Sequence, residues 1–525
     1  MDVFSFRDRI VDDYEKFSRS FTKIRSDDIG VSVENAYRSG RFWPAPLIQL
    51  NPGFVSGGSI DEFVDSGLLE SECRRIFRIK SKDDPFGKPL ILHLHQREAI
   101  ETALRGESYV LTTGTGSGKS LAYFIPIVND VLRRRRLGDR RKKITAIVVY
   151  PMNALCNSQC EELERFLRLG YGNDERPVTF ARYTGQESPE EREAIANTVP
   201  DILLTNYVML ELVMTRFLPQ DIALRENSEG LRFLVLDELH TYRGRQGADV
   251  AMLVRRIRER FNDNLLCIGT SATMASEGDA DNRNSVVANV AGRIFGAPVK
   301  PENVITETLR PVTLPDIVPE REHLSRAIRE GVRETYACDE LRRHPVAAWV
   351  ERRLGLEEAS GKFVRISRPK TMEEAAALLA EESGLPCREC SRYLPEFLLA
   401  ACRTRNDAGR SFFAFRLHQF ISGAWNVYAT LEAKDTRYIT LDGQQYKPGD
   451  RGKPLFNVAF CRECGQEYYP VWAEMEGKSP NRFMPRELTE RSNEDDSLLF
   501  GYLIHDEDDT PAEGVLQVGV EPARA

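Results

Sequence analysis

The chain has 525 residues, with 72 Lys and Arg against 80 Asp and Glu and a net charge of -8, which excludes bulk positive charge as the means of binding a nucleic acid and leaves only local basic surfaces. No apolar run reaches the roughly 18 residues that a membrane helix needs, and the start MDVFSFRDRI is unlike a secretory signal, so we expect a cytoplasmic protein without a membrane partner. Most of the ten cysteines stand singly in apolar runs, which favours reduced thiols over a disulfide framework.

Changes in the local sequence pattern along the chain predict four segments. Residues 1–88 mix short helical patterns with loop residues and form an N-terminal accessory segment. Residues 89–300 alternate short β-rich runs with longer amphipathic stretches, which is typical of βαβ units. Residues 301–405 are mainly helical in pattern, and residues 406–525 carry short strands and turns that end in the acidic tail HDEDDTPAEG. The predicted fold is α/β, with a parallel-sheet lobe and a mixed α+β C-terminal accessory domain.

Six strands are predicted between residues 89 and 300. Their near-continuous apolar character is typical of a parallel sheet that is covered on both faces. The predicted strands are Tyr109 to Thr113, Ala146 to Tyr150, Thr179 to Tyr183, Ile202 to Thr205, Phe233 to Asp237 and Leu265 to Gly269. Past residue 300 we expect this series of strands to stop.

A glycine-rich loop, TTGTGSGKS, follows the first of these strands. Its glycines allow backbone N–H groups to point at phosphate oxygens, and a helix starting near Lys119 offers its positive end to the same charge. Lys119 would reach the β- and γ-phosphates, and the Ser120 hydroxyl would bind Mg²⁺. The predicted nucleotide-binding residues here are Thr113, Gly114, Thr115, Gly116, Ser117, Gly118, Lys119 and Ser120. The usual pattern has glycine where this chain has Thr113.

An acidic pair follows another strand in LRFLVLDELH. Asp237 would hold Mg²⁺ through water, and Glu238 would orient the water that attacks the γ-phosphate. The alternative is an ordinary Asp-Glu helix start. His240 follows on the same turn, and a lone histidine there is more often structural than catalytic.

With these motifs in place, residues 92 to 275 resemble superfamily 2 helicases of the DExH-box type. LHLHQREAI resembles the upstream adenine-recognition element, TTGTGSGKS motif I, YPMNAL motif Ia, RYTG motif Ib, LLTNYVML the next DNA-contacting motif, DELH motif II and GTSAT motif III. The resemblance implies a RecA-like lobe, ATP and Mg²⁺ as cofactors, and Gln96 at the adenine edge. It implies that His240, Ser271 and Thr273 couple hydrolysis to nucleic-acid binding. The residues it places along the phosphates of the strand are Pro151, Asn153, Thr184, Gly185, Thr205 and Asn206.

The wording YPMNALCNSQ and LDELHTYRGRQGADVAMLVRRI is similar to large prokaryotic DExH helicases of DNA repair and phage defence, which carry cysteine-rich regions. That branch implies DNA as the partner, although phosphate contacts by themselves do not distinguish the two sugars. Such helicases also use a second RecA-like lobe, whose arginines stabilise charge on the transferring phosphate. No motif of that lobe follows Thr273, so we expect the lobe either in cis beyond residue 525 or in trans.

The basic run RRRRLGDRRKK, residues 133 to 143, allows two interpretations. It is either a DNA-facing patch or a solvated helix end at which Arg and Lys complement the helix dipole. The second interpretation is favoured because this helix packs behind the sheet, away from the strand ends.

Two CxxC pairs, Cys387 with Cys390 and Cys461 with Cys464, are candidate ligands of a zinc site. The second pair is the better candidate because Gly465 permits a tight knuckle that aims N–H groups at sulfur. Cys390 also falls at helical spacing with apolar residues and is compatible with a helix core. The competing outcome is a metal-free relic in which Cys461 and Cys464 are free thiols.

The sequence therefore predicts an ATP-dependent DNA helicase or translocase, represented by the first lobe of its motor. The alternative is a nucleotide-gated DNA-binding subunit that hydrolyses little by itself and works in a defence or repair assembly. A phosphate-loop NTPase that moves protein or acts as a switch leaves YPMNAL, RYTG and LLTNY unexplained.

Overall fold

The computed structural model describes residues 2–114, 116–171, 176–272, 280–359, 361–406, 409–422, 426–476, 479–488, 490 and 498–504. The predicted residues Thr115 and Thr273 and the acidic tail from residue 505 lie outside these ranges. The chain forms two compact units, and it enters and leaves them more than once. One unit is Asn51–Val318 with Arg342–Arg368, and the other is Met1–Leu50, Pro319–Leu341 and Pro369–Ala525.

A seven-stranded sheet, in which every pairing is parallel, forms the centre of the first unit. Its strands in chain order are β1 (Tyr109–Thr112), β2 (Ala146–Tyr150), β3 (Phe180–Tyr183), β4 (Ile202–Asn206), β5 (Phe233–Leu236), β6 (Leu266–Ser271) and β7 (Val304–Thr306). Their order across the sheet is β7-β1-β6-β5-β2-β4-β3. The predicted α/β class and parallel sheet are confirmed, and the six predicted strands agree with β1 to β6 within two residues at each end.

The seventh strand corrects the expectation that the series stops at residue 300. β7 pairs with β1 in parallel, with Thr306 opposite Thr112, and so extends the sheet at one edge. Three residues are too few for a periodic pattern to stand out in sequence. Pairing with β1 supplies the hydrogen bonds that make this short segment a strand.

Alternate residues of each strand enter two different apolar clusters. Ala146, Val148 and Tyr150 of β2 pack into one cluster, and Ile147 and Val149 pack into the other. All five are buried, because helices cover both faces of the sheet. The near-continuous apolar strands in the sequence are the consequence of this two-sided burial.

The helices divide between the two faces. The long helices contributing to the first cluster are α1 (Leu94–Leu104), α2 (Lys119–Arg136) and α3 (Asn153–Leu167), together with the short helices Ile60–Asp65 and Cys73–Ile76. Those contributing to the second are α5 (Tyr207–Thr215), α6 (Pro219–Glu226), α7 (Gly244–Phe261) and α8 (Ala280–Phe295), and α4 (Pro189–Thr198) packs against α6.

The same unit contains smaller elements. A hairpin of β8 (Leu356–Ala359) and β9 (Lys362–Arg365) follows the helix Pro345–Val350 and the π-helical turn Glu351–Gly355. The remaining elements are strands Gly53–Phe54, Ser56–Ser59, Arg78–Ile79, Lys88–Pro89, Ile91–His93 and Leu309–Arg310, helices Ile60–Asp65 and Cys73–Ile76, and 3-10 turns Leu239–Thr241 and Pro301–Asn303.

The second unit combines helices with antiparallel sheets. Its helices are Val3–Ser20, Asp27–Arg38, Arg321–Glu330, Met372–Ser383 and Cys387–Arg403, and the chain passes between the units within helix Cys338–Arg342. One three-stranded sheet joins Leu47–Leu50 to Lys370–Thr371 and Phe415–His418. A six-stranded sheet contains Ile439–Thr440, Val427–Ala429, Phe456–Phe460, Glu467–Glu476, Ser479–Pro485 and Leu498–Leu503, and a hairpin pairs Tyr446–Lys447 with Asp450–Pro454.

These two units divide the chain differently from the four predicted segments. The predicted segments 1–88 and 301–405 are each split between the units. Boundaries predicted from local sequence patterns divide the chain into consecutive segments. The units of the folded chain are instead formed by strand pairing and burial, which bring together segments that are distant in sequence. Among the described helices, none is long and apolar enough to cross a membrane.

Candidate nucleotide and nucleic-acid site

The loop between β1 and α2 has the backbone geometry that its glycines allow. Gly116 has a φ of 80° and Gly118 a φ of 70°, in the left-handed region that glycine adopts at no steric cost. Gly118 is the residue before the first turn of α2, and Lys119 and Ser120 lie in that turn. Inside the loop, the hydroxyl oxygens of Thr113 and Ser117 are 2.6 Å apart. The threonine that departs from the usual glycine is thus a buried internal support of the loop.

Gln96 and His95 of α1 bind the other side of the loop. The Gln96 side-chain amide donates to the Gly118 carbonyl at 2.8 Å, and its Oε1 accepts from the His93 backbone N–H at 2.8 Å. His95 Nε2 lies 3.0 Å from the Ser117 carbonyl. Both polar ends of Gln96 are engaged by protein atoms, so contact with an adenine edge requires an exchange of these bonds.

Lys119 has the environment expected of a phosphate-binding lysine. Its ammonium nitrogen is buried and has no hydrogen-bond partner within the described part of the chain. The nearest acidic oxygen is Glu238 Oε1, at 3.9 Å. A buried ammonium group without hydrogen bonds is costly, and phosphate oxygens would supply the missing acceptors. The loop therefore fits a polyphosphate.

Asp237 comes directly after β5 and is held by the neighbouring strand. The Thr270 hydroxyl of β6 donates to Asp237 Oδ1 and accepts from the Glu238 backbone N–H at 3.1 Å. Burial, reinforced by the neighbouring Glu238 carboxylate, raises the pKa of Asp237. A bound cation would offset that burial, so the carboxylate fits Mg²⁺.

His240 connects the acidic pair to the end of β6. Its Nδ1 lies 3.2 Å from Ser271 Oγ and 3.3 Å from Glu238 Oε2. Glu238 itself has a φ of 50°, which is uncommon for a residue other than glycine and is found at functional turns. The structure thus brings together Glu238, His240 and Ser271, while their role in coupling stays a prediction.

The residues predicted to follow the nucleic-acid backbone meet at the carboxyl ends of β2, β3 and β4. The Asn206 side-chain amide donates to Asn153 Oδ1 at 2.8 Å and to the Thr184 carbonyl at 3.0 Å. Thr205 is buried, and its hydroxyl donates to the Tyr183 carbonyl at 2.6 Å. Pro151 follows β2 at the same edge. Thr205 therefore stabilises this edge of the sheet through a buried hydrogen bond.

Glu187 occupies two backbone donors in this region. Its Oε2 accepts from the N–H groups of Thr184 and Gly185, at 2.8 and 2.9 Å. Arg182 neutralises the same carboxylate at 2.7 Å. A phosphate oxygen would have to replace Glu187 to reach these two N–H groups, so the contact predicted for Thr184 and Gly185 stays a prediction.

The basic run at the end of α2 makes mostly internal contacts. Arg134 and Arg135 both pair with Asp201, whose side chain is 4% exposed, and Arg136 pairs with Glu70. Such pairs fix the end of α2 to the strand-entry side of the sheet. They support the interpretation of this run as a structural helix end.

The two CxxC pairs have different settings. Cys390 is buried in helix Cys387–Arg403, 3.8 Å from Ser383 Oγ. Cys461 lies in a tight turn closed by the bond from Gly465 N–H to its carbonyl at 2.9 Å, and the backbone N–H groups of Cys464 and Glu463 lower its pKa. Over the residues that the structure describes, no three His, Cys, Asp or Glu side chains are grouped to hold a metal ion. Among these residues the two pairs are therefore not brought together as one four-ligand set, and Cys390 belongs to a helix core.

Sequence reasoning missed residues that touch these motifs from the side. Thr270 binds the acidic pair, His95 binds the phosphate loop, and Glu307 accepts from Gly114 N–H at 3.1 Å. Thr270 lies inside GTSAT and His95 beside Gln96, so adjacency to a motif was an available signal. Glu307 had none, because its position depends on the unexpected strand β7.

Comparison with known proteins supports this placement. Residues 93–280 match the family model of the DEAD/DEAH box helicase. The ATP-dependent helicase YprA of Bacillus subtilis is 33% identical over 190 residues, which are 35% of this chain and 23% of that protein. The ATP-dependent helicase MJ1574 of Methanocaldococcus jannaschii is 29% identical over 229 residues, 42% of this chain and 32% of that protein.

A solved structure of the DUF1998 helicase MrfA bound to DNA is also similar, with 23% identity and a TM-score of 0.37 over 50% of this chain and 30% of that one. The matched part of this chain spans less than a third of the length of each of these three proteins. The family match runs from the residue before α1 into the segment after β6, and so takes in the phosphate loop and the acidic pair. The similarity to the DEAD/DEAH box helicase domain thus covers residues 93–280 and includes both motifs.

Proposed function

We propose that this chain is the ATP-binding part of an ATP- and Mg²⁺-dependent DNA helicase or translocase. The observation that carries the proposal is the buried ammonium group of Lys119 in the phosphate loop, which has no hydrogen-bond partner among the described residues and lies 3.9 Å from the carboxylate of Glu238. Phosphate oxygens would supply the hydrogen-bond acceptors that the Lys119 ammonium group lacks, and the neighbouring Glu238 carboxylate would orient a water molecule. The polar strand-end edge around Asn206 supports a nucleic-acid backbone as the track, and DNA is the choice that the resemblance to large prokaryotic DExH helicases implies.

The roles of the residues follow from their positions. Lys119 and the loop N–H groups would hold the β- and γ-phosphates, and Ser120 and Asp237 would hold Mg²⁺, which neutralises charge on the phosphates when bound. Glu238 would orient the attacking water. His240 and Ser271 would transmit the state of this site to the strand-end edge where DNA would lie.

We also propose that a second RecA-like lobe, in cis or in trans, completes the motor. Across the described ranges, the seven-stranded sheet is the one sheet with parallel pairing, and every other sheet is antiparallel. The same observation supports the second candidate, a nucleotide-gated DNA-binding subunit with little hydrolysis of its own.

ATP hydrolysis by the purified chain with Mg²⁺ tests the proposal, measured without nucleic acid, with single-stranded DNA and with RNA. Lys119→Ala is the matched control, because it removes the phosphate-binding cation. A Lys119-dependent rate that DNA stimulates supports the motor. A rate no higher than that of Lys119→Ala, with DNA still bound, supports the gated subunit, and loss of both ATP and DNA binding contradicts both candidates.

Zinc on Cys461 and Cys464 is a separate proposal. The tight turn with Gly465 at a φ of 79° and the N–H groups directed at Cys461 support it. Two thiolates supply half of a four-ligand structural zinc site, so further ligands would come from other residues or from a partner. The zinc content of the purified chain, compared with that of Cys461→Ser, checks it. Equal and near-zero zinc in both would leave two free thiols.

A further inference from the structure

A carboxylate of the chain binds the Gly114 N–H group of the phosphate loop. Glu307 comes directly after β7, whose Thr306 pairs with Thr112 at the start of the loop. Gly114 N–H donates to Glu307 Oε2 at 3.1 Å, and Glu307 is 8% exposed. A negative group is thus fixed at the edge of a loop that is shaped to receive the negative phosphates of a nucleotide.

Arg365 lies on the other side of that carboxylate. Its Nε is 3.3 Å from Glu307 Oε1, and both terminal nitrogens of its guanidinium group are 3.4 Å from Asn51 Oδ1. The side chains of Arg365 and Glu307 are 16% and 11% exposed. A methyl group added at Gly114 would lie 3.7 Å from Arg365 Nη2, so the guanidinium group is beside the loop.

The hairpin of β8 and β9 that carries Arg365 is anchored at both ends. At its base, Glu351 accepts from the N–H groups of Val312 and Thr313, at 2.7 and 3.1 Å. At its turn, Lys362 pairs with Glu98 of α1 at 3.3 Å. Because the hairpin is held at both ends, the position of the Arg365 guanidinium group is fixed.

The charges of Glu307 and Arg365 determine how this pair affects nucleotide binding. A partly buried carboxylate close to a phosphate site repels a nucleotide, because the low local dielectric weakens screening. The Arg365 guanidinium group cancels that charge while leaving Glu307 free to hold the loop N–H. Without Arg365, Glu307 could still accept the hydrogen bond from Gly114 N–H, but its negative charge beside the phosphates would be uncompensated.

We propose that Glu307 and Arg365 are positioning residues of the nucleotide site: Glu307 fixes the start of the phosphate loop through Gly114, and Arg365 neutralises Glu307 so that a nucleoside triphosphate can bind. The proposal rests on the ATP site proposed above. It assigns to the hairpin of β8 and β9 a part in setting nucleotide affinity.

Calorimetric binding of Mg²⁺-ATP to the full chain tests this. We expect Arg365→Met to weaken binding by at least about tenfold, since one uncompensated charge near the phosphates has an effect of that size. Glu307→Gln should bind Mg²⁺-ATP at least as tightly as the unmodified protein, because a carboxamide oxygen still accepts from Gly114 N–H and the positive charge of Arg365 is no longer cancelled. The double variant Arg365→Met with Glu307→Gln should recover most of the affinity. Arg141→Met, which removes an exposed ion pair with Asp139 in the loop after α2, is the matched control and should leave Mg²⁺-ATP binding unchanged.

The outcomes are distinct. Equal affinity of Arg365→Met and the unmodified protein, or a double variant as weak as Arg365→Met, would overturn the pair's role while leaving the ATP site standing. Failure of the unmodified protein to bind Mg²⁺-ATP would overturn the proposed function itself. If Arg365→Met does not fold, Arg365→Lys and the double variant carry the test. Lysine keeps the charge and should bind ATP as the unmodified protein does, and a double variant that folds without ATP affinity would overturn the proposal.

Discussion

Thr270 connects the acidic pair of β5 to the adjacent strand β6. Its hydroxyl donates to Asp237 and accepts from the Glu238 backbone N–H, so one side chain orients both acids. Because β5 and β6 pair in parallel, with Leu236 opposite Gly269, the residues after each strand meet at the same edge. A single hydroxyl at this register therefore holds the turn in which Glu238 has its unusual backbone conformation.

His95 makes the stability of the phosphate loop depend on pH. Burial is the main cause that lowers the pKa of His95 from its usual 6.5 to about 4. Its Nδ1 has no hydrogen-bond partner in the described ranges, and it packs against Phe54 with ring centroids 5.3 Å apart. In this apolar setting a protonated imidazole is unfavourable.

We expect this histidine to destabilise the folded chain as the pH falls from about 6.5 to about 4. Between these pH values His95 is protonated in the unfolded state and neutral in the folded state. The stabilising contribution of neutral His95 is therefore fully present above about pH 6.5. Below that pH the free energy of unfolding falls by about 1.4 kcal/mol per pH unit. Urea unfolding of the protein and of His95→Gln, which keeps a donor for the Ser117 carbonyl, measures the difference. Parallel pH profiles of the two proteins would contradict this assignment.

At the scale of elements, the phosphate loop is shaped jointly by β1, α1 and α2. Gly118 illustrates this, because a methyl group there would lie 2.5 Å from the Gln96 side-chain nitrogen of α1. At Gly116, by contrast, an added methyl group would meet nothing within 4 Å. The two glycines share a left-handed backbone and differ only in what surrounds them.

Substituting these two glycines separates backbone strain from packing. Gly116→Ala and Gly118→Ala should each lower the free energy of unfolding by about 1–2 kcal/mol through left-handed strain. Only Gly118→Ala should also displace Gln96 and therefore weaken Mg²⁺-ATP binding beyond its effect on stability. Thermal unfolding and calorimetric titration of both variants check this, and equal losses of ATP affinity would show that packing against Gln96 is irrelevant.

At the scale of the molecule, the second unit is held by a buried arginine that joins segments far apart in sequence. The Arg437 side chain is fully buried and binds Asp28 of helix Asp27–Arg38 at 2.6 Å and the Tyr469 hydroxyl at 2.6 Å. Glu467 lies 3.6 Å away. Burial opposes ionisation of Asp28, but hydrogen bonds from Arg437 and Ser26 prevail and hold its pKa at about 2.

Removal of this arginine should be costly for that unit. Arg437→Met leaves the carboxylates of Asp28 and Glu467 without their cation, and we expect a loss of about 3 kcal/mol or more in the free energy of unfolding. Arg451→Ala, at an exposed position of strand Asp450–Pro454, is the control and should have little effect. Chemical denaturation of the three proteins decides it, and a loss below about 1 kcal/mol for Arg437→Met would show that the network is dispensable.

The sequence by itself determined the class of the first unit and the location of its nucleotide chemistry. Apolar runs such as AIVVY predict buried parallel strands, and TTGTGSGKS and DELH predict the phosphate loop and the acidic pair, because these features depend on residues that are close together in the chain. Tertiary structure alone decided that β7 joins the sheet and which atoms of those motifs Thr270 and His95 bind. It also decided that Arg365, 58 residues after Glu307, stands beside the phosphate loop. These positions depend on strand register, burial and ion pairing between segments that are distant in sequence, and no local pattern records such contacts.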